Sequence, residues 1–292
     1  MRSRLAVLTL AALTALALTL TATGGASAAN TKRVVALTPF TANALASLGI
    51  VPIARGDMPG SNDRYVAKVQ NIKKLTLSHP NGPNMEKLAV LNPSLVLSSP
   101  QWNKGNTTMR QLGMKVVLSD PQTVDAVPEQ TKVIGRLVGK TKLGIDRAAV
   151  QAKNIAAAKR AAKRHPTVLL ILGVGHTPYA FLKNSWGGDV ITQAGGKLIT
   201  GGLSNSGGFA RISNEFVVEQ NPDVIIAVPH GTTNAADRRE LAKYLGDNPA
   251  WKGTKAVQNH RLFVSKDNAL LQASPLAATV ITYVQQQYLK NR

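Results

Sequence analysis

The sequence contains no cysteine. Disulfides are therefore excluded, and the fold must rest on an ordinary hydrophobic core, which 292 residues can build. Thiolate zinc sites, a cysteine nucleophile and a lipid attached through cysteine are excluded with them. Acids are also scarce: 15 Asp and Glu stand against 35 Lys and Arg, a formal charge of +20. No pair of carboxylates stands out as an acid/base couple. Gly-x-Ser-x-Gly, His-Glu-x-x-His and phosphate-loop patterns are missing as well. No catalytic set emerges, so the expectation is a protein that is not an enzyme. Aromatics make up 4% of the chain, which makes the position of each one informative. Beyond the first 29 residues no apolar run is long enough to span a bilayer.

Those first 29 residues read as a secretory signal. Arg2 and Arg4 precede an apolar run from Leu5 to Leu20, and small residues ending in Ala26-Ser27-Ala28-Ala29 supply a cleavage site. A short N-terminal membrane anchor is the alternative. The expected mature chain is exported, periplasmic or extracellular at the cell envelope, and not lipid-anchored through cysteine. Its basic excess either attracts anionic envelope polymers or steers an anionic ligand into a cleft. Nucleic acid is not an expected partner, because basic residues are not interleaved with aromatics in any known motif.

The most informative feature present is an internal echo. Glu86-Lys-Leu-Ala-Val-Leu-Asn92-Pro93-Ser-Leu95-Val96-Leu97 matches Glu215-Phe-Val-Val-Glu-Gln-Asn221-Pro222-Asp-Val224-Ile225-Ile226. Each copy predicts a short amphipathic helix, stopped because the residue before a proline is pushed from the helical region, then a buried parallel strand. Two such units imply two similarly built α/β lobes, and open α/β sheets bind ligands beyond the carboxyl ends of their strands. Further strands are expected at 33–37, 51–54, 115–118, 168–172 and 261–264, with helices at 41–48, 107–112, 189–194, 237–245 and 275–289. Segment 123–165 lacks strand signals, is rich in alanine, and predicts a long helical connector weakly interrupted by glycines. The expected organisation is a signal at 1–29, an α/β lobe at 30–122, the connector at 123–165 and a second α/β lobe at 166–292.

The run Arg33-Val-Val-Ala-Leu-Thr-Pro39, the Glu86…Asn92-Pro93 unit, Gly187-Gly-Asp-Val-Ile191 with Ala194-Gly195-Gly196, and the Glu215…Asn221-Pro222 unit fall in a telling order. Together they resemble the substrate-binding proteins of ABC importers for iron-siderophores, vitamin B12 and haem, over essentially the whole mature chain. That resemblance implies two Rossmann-like lobes joined by a long helix, the class III periplasmic-binding-protein architecture, with ligand in a shallow cleft. Ile226-Ala-Val-Pro229-His230-Gly231 most resembles the haem-binding members, whose axial histidine stands in such a Pro-His-Gly. The resemblance implies haem as the transported ligand, with a ferric siderophore or cobalamin as the alternative, and an ABC permease dimer as partner. A secreted metal-dependent enzyme is the alternative from another class, and a monomer is expected. Acids at the positions of Glu86 and Glu215 dock on permease arginines in the family; locally each also complements its helix dipole.

Family members draw the first-lobe iron ligand from Tyr, seven residues before the acid, or Met, five before it. Those positions here are His79 and Asn81, so His79 and His230 are the candidate axial ligands. Tyr65 and Met58 stand in reserve. His79 lies in Ser78-His79-Pro80-Asn81-Gly82-Pro83, a turn-rich loop with few conformations. Equal spacing from Pro93 to Pro100 and from Pro222 to Pro229 makes Gln101 the first-lobe counterpart of His230. Tyr65, Trp102, His176, Tyr179, Phe181 and Phe209 are candidate cleft-lining residues, each equally compatible with core packing or, for His176, with a turn. Gly173-Val-Gly175 resembles a nucleotide fingerprint, but Pro178 occupies the third glycine position. Arg55, Lys183 and Arg211 are candidate partners for ligand carboxylates. His165 and His260 read as structural.

Overall fold

Short aliphatic runs alternating with amphipathic segments produce two sheets wrapped by helices. The computed structural model describes residues 32–59, 61, 63–173, 178–205, 207–229 and 234–290. The first lobe runs β1 (Val34–Ala36), α1 (Pro39–Ser47), β2 (Ala54–Asp57), α2 (Ala67–Gln70), β3 (Lys74–Ser78), β4 (Gly82–Pro83), α3 (Met85–Ala89), β5 (Leu95–Ser98), α4 (Asn103–Gln111) and β6 (Val116–Leu118). Its sheet has the order β4-β3-β2-β1-β5-β6, parallel except for β4.

The connector is α5 (Val127–Leu137) and the 20-residue α6 (Thr141–Arg160). The second lobe follows with β7 (Thr167–Gly173), β8 (Tyr179–Phe181), α7 (Trp186–Gln193), β9 (Lys197–Leu198), β10 (Phe209–Arg211), α8 (Asn214–Gln220), β11 (Val224–Pro229), α9 (Ala235–Gly246), α10 (Lys255–Gln258), β12 (Leu262–Val264) and α11 (Ala277–Val284). Its sheet has the order β10-β8-β7-β11-β12, with β9 beside the start of β7. Strands β7, β11 and β12 are parallel, and β8 runs against β7. Among the described residues no helix is long and apolar enough to cross a membrane.

Both repeat copies fold alike, and the helix ends differ from expectation in one respect. Asn92 and Asn221 adopt left-handed backbone, with φ of 42° and 40°, rather than the extended backbone expected before proline. Asparagine tolerates that conformation, which turns the chain sharply from helix into strand. Arg33 secures the first turn by donating through Nη2 to the Leu91 carbonyl at 2.8 Å. The second is secured by Asn221 Oδ1, which accepts from the Lys255 amide at 2.9 Å.

Elsewhere, β2 begins at Ala54 rather than Val51, since Pro52 has no N–H for a ladder. The closing helix is α-helical only over Ala277–Val284 and continues as a π-helical turn, Gln285–Leu289. Strands β3, β4, β8, β9 and β10 come in addition to those the sequence predicts. The connector glycines do more than interrupt. Gly135 on α5 faces Gly144 on α6, and a Cβ added at Gly135 would lie 2.9 Å from the Gly144 α-carbon. Two bare backbones therefore let the helices fold back and pack closely.

One apolar core unites the two lobes. It runs from Val34, Phe40 and Leu45 through Val124, Val127, Ile134 and Ile155 of the connector to Val168, Val190, Ile226 and Ile281. Two smaller clusters fill the remaining sheet faces, one centred on Leu37, Val96 and Met109, the other on Leu169, Ile225 and Trp251.

The crossing of α5 and α6 makes an unusual prediction. Alanine in a helix interior normally gains about 1 kcal/mol over glycine. At Gly135 the added methyl meets backbone that cannot swing away, and overpacking of this kind costs roughly 1–3 kcal/mol. Gly135→Ala should therefore lower the thermal midpoint, which calorimetry of wild type and variant would show.

Candidate functional site

In both sheets the parallel strands deliver their carboxyl ends to one rim, and the segments that follow them carry the candidate residues and their supports. In the first lobe these are Thr38 after β1, Met58 after β2, His79 after β3, Trp102 after β5 and Asp120 after β6. In the second, Pro229 ends β11, and Ser265 to Asp267 follow β12. The two rims touch at one side. Arg64, downstream of β2, pairs with Asp267 at 2.5 Å, and Asn268 donates to Asp63 Oδ1 at 3.2 Å. The Trp186 indole N–H fixes the same second-lobe loop through the Ala269 carbonyl at 2.9 Å.

His79 is exposed, directly beyond β3. Its ring stands edge-on to Trp102, with centroids 6.2 Å apart and planes at 62°. Trp102 is 3% exposed and its indole nitrogen has no hydrogen-bond partner among the described residues. The turn carrying His79 is clamped to the start of α4. Gly105 donates to the Pro80 carbonyl at 3.5 Å, and a Cβ there would fall 2.1 Å from the Asn81 carbonyl oxygen. Gly105 is thus a positioning residue that the sequence reading missed. The available signal was a glycine inside a helix, where it costs about 1 kcal/mol relative to alanine.

The other candidates divide. Tyr179 is 37% exposed at the start of β8, beside the carboxyl end of β7. It pairs directly with Arg211 across β8 and β10, and Arg211 is exposed too. Directly opposed residues share a sheet face, so these two form one aromatic–basic patch on the rim. Lys183 is exposed, but it lines a separate open hollow with Asn184, Thr200, Leu203 and Asn205. His176 and His230 lie outside the described residues; His230 is the chain neighbour of Pro229.

Four expectations need correction. Arg55 is 3% exposed and is engaged internally. It donates to the Gly56 and Gln70 carbonyls at 2.9 Å, pairs with Asp57 at 2.8 Å and stacks on the Tyr65 ring at 3.9 Å. It cannot reach a ligand. Tyr65 donates its hydroxyl to Gly56 O at 3.1 Å, and burial, then the Asp63 charge, pushes its phenol well above the ordinary value. A phenolate ligand at Tyr65 is accordingly disfavoured, although its ring lines an inter-lobe cavity of about 220 Å³. Phe181 is 1% exposed and packs edge-on against the half-buried Phe209, centroids 4.7 Å apart, as core. Trp102 is not an open wall but a buried support under the His79 turn.

The repeat acids keep their symmetry. Glu86 and Glu215 are exposed at the second positions of α3 and α8, behind the N-caps Asn84 and Ser213. The Ser213 hydroxyl, then the backbone, holds the Glu215 carboxyl below its usual range. Each helix runs back from the rim into the strand it feeds, so both acids sit at the rim pole.

Asp120, beyond the end of β6, is a buried titrating group that the sequence did not flag. Burial pushes its carboxyl up to about 6, against favourable hydrogen bonds from Ser99 and Thr38. Its Oδ1 has no partner among the described residues. A pKa raised above the unfolded value means the folded state holds the proton more tightly, so this contribution to stability is present below about pH 4 and lost as pH rises through 6. Asp120→Asn should therefore stabilise the protein at pH 7.5, by roughly 1–3 kcal/mol, and should do little at pH 4. Denaturant midpoints of both proteins across this range test the sign.

Known proteins place this geometry in context. The family model described as periplasmic binding protein matches residues 34–269. The high-affinity heme uptake system protein IsdE of Staphylococcus aureus is 27% identical over 193 residues, 64% of each chain, so this chain spans about 64% of the length of that curated relative. The crystal structure of IsdE complexed with heme has a TM-score of 0.73 at 22% identity, covering 89% of this chain and 99% of the other. An ABC transporter substrate-binding protein from Listeria monocytogenes gives a TM-score of 0.76 at 20% identity, with 89% and 99% covered. The vitamin B12 binding protein BtuF of Vibrio cholerae gives 0.71 at 18%, with 88% and 96% covered. The fold is common to all three.

Proposed function

The chain belongs to the periplasmic binding protein family, with two lobes of the class III architecture, and from that premise we propose that it captures haem at the rim and delivers it to an ABC importer. The observation that supports haem most is His79, exposed at the end of β3 and backed by Trp102, on a turn clamped by Gly105. On this reading His79 and His230 are the axial ligands, one from each lobe, gripping the two faces of a planar macrocycle. Neutral imidazole is a suitable donor for haem iron. Tyr179 offers an apolar face and Arg211 a guanidinium for a propionate. Residues 1–29 act as an export signal, and the mature protein works outside the cytoplasmic membrane as a monomer. Lobe 30–122 and lobe 166–292 are held together through the connector 123–165.

Titration with hemin tests this directly. The wild type should develop a Soret band with a six-coordinate, low-spin ferric spectrum, since two imidazoles are strong-field donors. His79→Ala should convert it to a high-spin form, and His230→Ala should shift the bands and speed haem loss by at least about tenfold. A folded protein with no Soret band that instead takes up a ferric siderophore or cobalamin would replace the haem reading with that alternative.

Glu86 and Glu215 are proposed to dock on paired arginines of a two-fold permease. Charge reversal at both should abolish stimulation of permease ATP hydrolysis while hemin affinity stays unchanged. The dipole cost of each reversal, roughly 0.3–1 kcal/mol, is too small to unfold the protein. Equal stimulation by the two proteins would remove the docking role.

A further inference from the structure

At the pole opposite the rim, the segments leading into β7, β11 and β12 converge on an open cavity of about 830 Å³. Arg164 and His165 precede β7, Asp223 precedes β11, and His260 and Arg261 precede β12; Lys290 closes the cavity from beyond the last helical turn. These are the amino ends of three neighbouring parallel strands, so the cavity is separate from the ligand rim. The two histidines that looked merely structural in the sequence meet here.

The lining is electrically one-sided. Among the described lining residues Arg164, Arg261 and Lys290 supply three cations and Asp223 an acid. Its carboxylate is already engaged: Oδ2 accepts from the Thr167 amide at 2.8 Å and hydroxyl at 2.9 Å, and Oδ1 lies 3.9 Å from Lys255. Arg261 is held in place by donating to the carbonyls of Tyr288 at 3.0 Å and Lys290 at 3.3 Å. Burial lowers its guanidinium from the ordinary value, Asp223 draws it back, and the charge of Arg164 lowers it again. Two guanidinium groups that repel one another across a hollow gain from an anion placed between them. Guanidinium forks match phosphoryl oxygens in geometry. The volume is that of a ligand pocket rather than a hole for one ion.

We propose that this cavity is a second binding site, for an extended polyanion carrying several phosphoryl groups in a soluble chain.

Fluorescence anisotropy with labelled linear polyphosphate tests the assignment on the mature chain. The variant Arg164→Gln/Lys290→Gln should weaken binding by about tenfold or more, because paired charge-assisted contacts are lost. Arg147→Gln/Lys153→Gln removes the same charge from the exposed face of α6 and should change affinity less than about twofold. Equal weakening by both pairs would show diffuse attraction and overturn the site. Inorganic phosphate competing as well as the polymer would overturn the extended ligand. Tighter binding to phosphatidylglycerol vesicles than to polyphosphate would overturn the soluble chain in favour of a lipid surface. Circular dichroism melts of both variants, expected to match wild type, separate these outcomes from misfolding.

Discussion

The apolar layer shared by the two lobes is the constraint on which the rest of the molecule depends. Phe40 and Leu45 of α1 belong to the same cluster as Ile134 of α5, Val190 of α7 and Ile281 of α11. Drawing the lobes apart would return several of these side chains to water, at about 1.5–3 kcal/mol each. Wide hinge closure is therefore too costly, and small rocking about the α5–α6 hairpin is what the packing permits. The rim contacts act in the same sense. Arg64–Asp267 and Asp63–Asn268 tie the segment downstream of β2 to the one downstream of β12. A cleft of nearly fixed width suits a rigid, flat ligand better than one that must be engulfed.

With the frame fixed, polar residues near the rim fall into two uses. Some build the rim: Thr38 and Thr41 cap α1 reciprocally, Arg55 holds carbonyls and Asp57 inside the first lobe, and Asp189 accepts the Val124 amide at 2.7 Å where the connector begins. Others remain exposed and can meet a ligand, as His79, Tyr179 and Arg211 do. Arg55 shows why charge alone misleads. It is a basic residue in a strand of the first-lobe sheet, yet five hydrogen bonds from one guanidinium turn it into scaffold.

Legibility in the sequence followed the length of the signal. The βα alternation and the repeat were readable because each spans many residues of one period, whereas the connector glycines read as weak interruptions and instead mark a close helix crossing. Lys74-Leu75-Thr76-Leu77-Ser78 alternates strictly, with only the leucines buried, but its flanking loops disguised it. Strands β8 and β10 are three residues long and antiparallel, so neither leaves a period, and nothing local decides between cleft and core for Phe181. The Arg55–Tyr65 stack and the Asn81–Gly105 approach join residues far apart in the chain, and no local pattern announces them. Histidine at position 79 was legible only through its offset from Glu86.

The repeat finally separates what must be symmetric from what need not be. Helix, left-handed asparagine and strand recur in both lobes, and they bring Glu86 and Glu215 to matching places at the rim pole. A partner with two-fold symmetry would require that match. Ligand binding makes no such demand, and there the lobes part company. The counterpart of His230 is Gln101, which lies in a 3-10 turn whose amide donates to Ser99 Oγ at 3.3 Å. The first lobe instead exposes an imidazole three strands away, from the turn after β3, where its ring stands edge-on to Trp102. Duplication accounts for the matched acids that the proposed docking would use; the proposed grip on iron draws on no such match, since Gln101 rather than histidine stands at the first-lobe counterpart of position 230.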